Sequence, residues 1–433
     1  MKQLCAMILS VSLCASQTAA QGFTTLKGHG GPIMGLDVSI AGQVATASFD
    51  NSVGLWLDRK PTWLEGHEAA VNVVQFMTDG RILSGGDDFA LRLWDHGETR
   101  VLGRHRGKVT SLAVSGDGAL VASGSWDGSV GLWPLDGGAP RFLTLRDSGV
   151  NDLVFTADGR GLLVAGTKGE ILQYDIKGDA APRPLVKHGF GVNKLVLGPA
   201  GTWLAYGAVD GGTRVVDART GTAIADFTLD RKPILALEHH APTGLLAVGD
   251  GQGYIMLVNS ATWRIQQDFR ATRKGPVWAL AFSPDGAMIY AGGLDDVAYG
   301  WPIALMDGFD PAMGQERSFL KDADKMPNGE RQFMRKCSIC HALEAGASRK
   351  AGPSLHNVFG RPAGTVPDYA YSPRLAGSAI IWSEATIDQL FDQGPDHFIP
   401  GSKMPMQVIA APQDRRDLIQ FLKTHSQPEE TKP

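Results

Sequence analysis

Between residues 22 and 303 short apolar stretches alternate with turn signals of one kind. Leu112-Ala113-Val114 leads into Ser115-Gly116-Asp117-Gly118 and then Leu120-Val121-Ala122, and similar turns stand at Thr78-Asp79-Gly80, Thr156-Ala157-Asp158-Gly159 and Ser283-Pro284-Asp285-Gly286. Two alternating stretches joined by such a turn read as a β-hairpin. A longer period lies over the short one. Gly28-His29, Gly66-His67 and Arg104-His105 recur every 38 residues. The units close at Trp56, Trp94-Asp95, Trp133, Tyr174-Asp175, Val216-Asp217, Val258-Asn259 and Trp301, spaced by 38 to 43 residues. A repeat of that length is a supersecondary unit that buries its apolar face only against its neighbours.

Past residue 327 the period becomes helical. Asn328 is placed to cap a helix that carries Gly329 and Phe333 towards Cys337, and Ser383 to cap a second through about Phe391. Leu418, Phe421 and Leu422 form an apolar stripe on a third, Asp414 to His425. Between the regions, Pro302 to about Met326 holds Pro311, two glycines and the run Lys321-Asp322-Ala323-Asp324-Lys325, which suits a linker. Its apolar Leu305, Met306 and Phe309 are expected to lie partly along the β region.

The β repeats resemble WD-repeat propellers: seven blades of four short antiparallel strands. Blades one to three carry the signature well, four to six have drifted, and seven keeps its Trp. The resemblance implies that Phe23-Thr24-Thr25-Leu26 supplies the outer strand of the last blade and closes the ring. It also implies that His29, His67 and His105 belong to buried networks with turn aspartates (Asp88, Asp127) and the terminal Trp, and are structural. His239 and His240 are adjacent, so on a strand they face opposite ways and do not easily share a metal. A surface turn is expected there.

Composition narrows the classes. The chain has 433 residues, is 43% hydrophobic and 20% charged, and carries a net charge of −4, which points away from nucleic-acid binding and from a polybasic membrane surface. No apolar run reaches eighteen residues, so no transmembrane span is expected. Residues 1–20 read as a secretory signal: Lys2, an apolar core from Ala6 to Ala15, and the small residues Thr18-Ala19-Ala20. Leu13 before Cys14 is too large for lipoprotein processing. Removal of the signal takes Cys5 and Cys14 with it, leaving Cys337 and Cys340. The expected domains are 1–20 signal, 21–303 propeller, 304–326 linker and 327–433 a second domain.

Those two cysteines stand in Cys337-Ser338-Ile339-Cys340-His341. Cys-x-x-Cys-His reads as c-type haem attachment, with a thioredoxin-type pair or half of a zinc site as the other readings. No second Cys pair follows for zinc, and no βαβ unit surrounds the motif for a redox pair. Downstream come Gly352-Pro353-Ser354-Leu355-His356, Phe359-Gly360-Arg361, Tyr369-Ala370-Tyr371, Trp382 and Pro400-Gly401-Ser402-Lys403-Met404. With these, residues 327 to about 425 resemble a class I cytochrome c of the mitochondrial and bacterial-carrier type. The expected fold is therefore multidomain, an all-β seven-bladed propeller followed by a small all-α cytochrome c domain.

The resemblance implies one haem c, bound covalently through Cys337 and Cys340, with His341 and Met404 as iron ligands. Pro353 would orient His341 through its carbonyl, and Arg361, Tyr371 and Trp382 would donate to the haem propionates. Met406 is a rival ligand. Leu390 and Leu375 stand where the family carries a tyrosine and an asparagine, which makes the crevice less polar. Arg335, Lys336, Lys350 and Lys403 resemble the family's cationic docking ring, thinned by Asp396 and His397. A six-coordinate iron moves one electron without bond chemistry. Export agrees with haem attachment outside the cytoplasm, so the leading expectation is a periplasmic electron carrier whose propeller docks a redox protein partner. The alternative is a redox enzyme with its active site in the propeller, similar to nitrite reductases that pair a cytochrome c domain with a haem-holding propeller. Those propellers have eight blades and follow the cytochrome.

Overall fold

The computed structural model describes residues 23–145, 147–178, 180–228, 232–272, 275–308, 326–338, 340–346, 350–367, 369–404 and 407–427. The signal segment, most of the linker and Met406 lie outside them. Twenty-eight strands among the described residues form seven four-stranded antiparallel sheets. Six are built from consecutive strands. The seventh takes Thr24–Lys27 against Val297–Pro302, with Leu26 opposite Ala298, so the chain's first strand completes its last blade. Phe23 packs on Trp301 at 4.7 Å between ring centroids and clamps the seam. The expected closure is present, and it leaves the ring no terminal gap.

One position repeats around the axis. Each innermost strand begins with Ile or Val (Ile33, Val71, Val109, Val150, Val192, Ile234, Val277), none of them exposed. Just after each the register slips by a residue, as between Ile33 and Gly35. A bulge bends and twists its strand, and a stiff β-branched side chain beside it fills the space between blades.

The repeat histidines are structural. His29 Nδ1 donates to Asp50 at 2.8 Å and its Nε2 meets Thr46 Oγ1 at 2.6 Å, which also accepts from the Trp56 indole at 2.8 Å. His67, Asp88, Ser84 and Trp94 repeat the relay. In blade three His105 turns instead to Ser129 and Ser123, with Asp127 at 3.7 Å. Drift in blades four to six is a loss of this relay: Tyr174 donates to Thr144 O, and Val258 has no donor. Blade five keeps half of it. His188 bonds Asp210 at 3.1 Å and Arg214 joins them. His239 and His240 are not in a turn: both end the strand Ile234–His240, before Ala241-Pro242 stops it. His239 packs on Trp203 of blade five and His240 on Phe282 of blade seven, so they do face opposite neighbours.

The innermost strands enclose an axial channel of about 900 Å³ lined in part by Asp152, Lys194 and Glu238. Asp37 accepts from Phe76 N–H at 2.6 Å and Asp152 from Leu195 N–H at 2.9 Å, each tying its blade to the next. Burial, and then the nearby Asp37, push Glu238 up to about 8, although Lys194 opposes this. Burial pushes Asp37 up to about 6. Between about pH 5 and 8 the folded chain therefore holds a proton that an ordinary unfolded glutamate has lost, and stability falls as pH rises through that window. Glu238→Gln is expected to flatten the slope and to gain roughly 1–3 kcal/mol over wild type at pH 8 but little at pH 5. Thermal melts of both proteins at the two pH values check this, and parallel curves would refute it.

The C-terminal unit has five helices among the described residues: α1 (Asn328–Lys336), α2 (Pro373–Ala376), α3 (Glu384–Gln393), α4 (Pro395–Phe398) and α5 (Pro412–His425). Helix α1 crosses α5 closely. A Cβ at Gly329 would lie 2.2 Å from Asp417 O, so only glycine fits, and Phe333 packs on Phe421 at 5.3 Å. Asn328 is not the cap. Pro327 holds that position, and the Asn328 amide donates to Asp414 and Asp417 on α5. A tertiary partner outcompeted the local role. Ser383 caps α3 with a reciprocal bond from Thr386, as expected. After the propeller a 3-10 turn, Ile303–Gly308, begins the connection. Its Leu305 is 52% exposed rather than laid on the propeller, while Ile303 packs into the seventh blade. Phe309 lies outside the described residues.

Candidate functional site

Cys337 caps the end of helix α1, and the next residues continue as a single turn: the N–H groups of Cys340 and His341 both donate to Cys337 O, at 3.0 and 2.9 Å. That turn brings both sulfurs and the imidazole to one side of the core. Gly352 N–H then donates to Cys340 O at 2.7 Å and draws the return loop under the histidine. A Cβ at Gly352 would lie 2.4 Å from the His341 ring, so glycine is required at this approach. Pro353 follows, and His341 Nδ1 donates to its carbonyl at 2.7 Å. A carbonyl only accepts, so Nδ1 carries the proton and Nε2 keeps its lone pair. Burial holds the ring below the ordinary histidine range, against the bond to Pro353, and the cations Lys350 and Arg361 act in the same direction as burial.

Burial also pushes the Cys337 thiol up to about 12 and Cys340 up to about 11. A redox pair needs a thiol whose pKa is lowered so that the thiolate forms, so this environment disfavours the thioredoxin-type reading. Among the described residues no cluster of three or more His, Cys, Asp or Glu is placed to hold a metal ion.

All eight residues singled out from the sequence line one cavity of about 640 Å³: Cys337, Cys340, His341, Pro353, Arg361, Tyr371, Trp382 and Met404. Arg361 is fixed by Nη1 to His356 O at 2.6 Å and Nη2 to Ser354 O at 2.8 Å. Tyr371 packs edge-on to Tyr369 at 4.8 Å and accepts from Val366 N–H, which leaves its O–H free to donate. Trp382 is held by main-chain bonds to Arg361 and Gly360. Met404 follows Ser402, whose hydroxyl accepts its N–H at 3.1 Å. Leu375 and Leu390 line the same space, with no polar atom where the resemblance implied one. The size suits a cofactor. The contents suit haem: a neutral imidazole, a thioether, two thiols, an apolar wall and cationic or hydroxyl donors beside it.

Of the proposed cationic ring, Lys350 donates to Ser338 O at 2.8 Å and is partly tied down, and the Arg335 side chain lies outside what is described. Tyr369 and Ile387 also line the cavity without having been singled out as site residues. The first was visible in the Tyr-Ala-Tyr motif. More was missed on the far wall, where Phe49, Phe89, Lys108 and Trp126 of the propeller reach the same space.

Comparison with known proteins agrees with both halves. The WD domain, G-beta repeat family matches residues 21–56, 59–95, 97–134 and 263–301, passing over blades four to six, and the cytochrome c family matches residues 327–426. Among similar proteins, the cytochrome c of Sesamum indicum is 44% identical over 97 residues, covering 22% of this chain and 86% of that protein. That of Arabidopsis thaliana is 39% identical over 115 residues, covering 27% of this chain and 95% of its own length. That of Chlamydomonas reinhardtii is 38% identical over 101 residues, or 23% and 89%. The family brings with it covalently bound haem c and electron transfer, and the propeller a platform for protein interaction. Through residues 327–426 this chain belongs to the cytochrome c family, carried behind a seven-bladed propeller of WD repeats.

Proposed function

We propose that the chain is a periplasmic one-electron carrier holding a single haem c between His341 and Met404, with the propeller as docking platform for a redox protein partner. The observation that carries it is the joint lining of one cavity by Cys337, Cys340, His341 and Met404, with His341 already turned by Pro353. Bound there, the haem would supply a reversible one-electron change. The chain's own part is positional. Pro353 O fixes the imidazole tautomer, the Ser402 hydroxyl pins the start of the Met404 turn, and Arg361, Tyr371 and Trp382 would meet the acidic edge of the group. Leu375 and Leu390 keep water out of the crevice, which disfavours the charged ferric state. No helix among the described residues is long and apolar enough to cross a membrane, and residues 1–20 support export.

The ligand assignment has a direct test. Ferric iron bound by a thioether shows a weak charge-transfer band at the red edge of the visible spectrum. Met404→Ala is expected to lose it and to bind added cyanide or imidazole much faster, while Met406→Ala keeps it. The opposite pattern would move the ligand to Met406.

A further inference from the structure

The cavity that gathers the cytochrome residues is closed on one side by the propeller, through loops of blades one to three. Two of the side chains there are large apolar groups left open to solvent: Phe89 is 42% and Trp126 is 53% exposed. Lys108 lies over the Trp126 ring at 3.3 Å. These exposures persist with the cytochrome unit opposite, so both aromatics are only partly covered, and large apolar groups on a loop face mark a surface used for contact.

Phe89 adds a separate sign. It occupies the turn between the second and third strands of its blade with φ 66°. At the same turn position five of the other six blades carry Asn51, Gly128, Gly169, Gly211 or Gly253, also at positive φ. Left-handed backbone disfavours a residue with a Cβ by about 1–2 kcal/mol. Phenylalanine at this position strains the blade, and strain of this kind concentrates where a surface is used. The propeller wall carries mixed charge, Glu68, Asp87 and Asp127 beside Arg106 and Lys108, and faces Lys403 and Arg361 of the cytochrome wall.

We infer that the loop face of blades one to three is the resting seat of the chain's own haem crevice, with Phe89 and Trp126 over its mouth. A redox protein then reaches the haem edge by displacing that contact. The meaning of the seat rests on the carrier reading, but its detection does not.

Lys108 and Lys403 line opposite walls, so a short lysine-reactive cross-linker applied to the full chain should join them within the monomer band. Phe89→Gly combined with Trp126→Ala should reduce that cross-link at least fivefold. Phe89→Gly relieves strain, so the propeller's melting temperature should hold or rise, which separates loss of the seat from loss of fold. The double variant should also take electrons from a reduced stand-alone cytochrome c about tenfold faster at unchanged potential, equivalent to about 1.4 kcal/mol of docking free energy. Absence of the cross-link in wild-type monomer, its survival in the variant, its confinement to a dimer band, or an unchanged rate would each overturn the seat. A chain that cross-links as expected yet takes up no electron would leave the seat standing and fail the carrier reading.

Discussion

Replacing Cys337 and Cys340 together with alanine is expected to leave a chain that carries no covalent haem. Either replacement alone leaves at most one thioether, because the other two cysteines, Cys5 and Cys14, fall in the segment read as a signal. The consequence reaches past colour. The core of the cytochrome unit joins Phe333, Cys337, Ile387, Leu390 and Leu418 around the cavity. A void of about 640 Å³, at about 24 cal/mol per Å³, would cost roughly 15 kcal/mol if fully enclosed. Even a third of that, allowing for the open mouth, matches the stability of a whole domain. The double variant should therefore lose helical signal from α1 and α5 as well as haem peroxidase staining on a denaturing gel. The propeller's β signal should remain. His341→Ala is expected to give attached but high-spin or unstable haem. An unstained wild-type band, after expression with haem-maturation machinery, would end the haem assignment.

Much of this architecture was legible because its determinants are local. Asp-Gly turns, a histidine opening and a Trp closing each early blade are short-range signals, and the repeat multiplies them. Cys337 to His341 and Gly352-Pro353 are also local, since one turn and its return loop make the histidine side of the site. What escaped depended on tertiary partners. Asn328 looked like a cap but is claimed by Asp414 and Asp417, 86 and 89 residues away. His188 stands 83 residues after His105, off the 38-residue spacing, so it was passed over. Its separation of 22 residues from Asp210, the same as from His105 to Asp127, was the usable sign. His239 and His240 stayed in the strand because Trp203 and Phe282 cover them. The propeller wall of the cavity had no local signature, except that a phenylalanine stands where the repeat prefers glycine.

Separately expressed residues 327–433 should still take up one electron reversibly at nearly the potential of the whole chain. The core of this unit draws only on residues from 333 to 422, and the three relatives named above are covered over 86–95% of their own length, so the unit has what it needs to fold alone. Its transfer to the physiological partner should nevertheless slow by around tenfold at low partner concentration, a roughly hundredfold loss of the tethered contact offset about tenfold by freeing the crevice from its seat on the propeller. A tethered second contact raises effective concentration without any new contact at the haem edge, and removing the propeller removes that contact. The loss should disappear at saturating partner, because the haem-edge chemistry is unchanged. The remaining reaction should weaken with salt if Lys336, Lys350 and Lys403 steer the approach, since exposed charges are screened beyond about 8–10 Å at physiological ionic strength. An active site inside the propeller gives another pattern, with activity absent at every partner concentration once residues 21–303 are gone. Stopped-flow transfer from the isolated unit, followed across partner concentration, separates the two. A rate that never recovers at saturation would sink the docking reading and move the chemistry into the propeller.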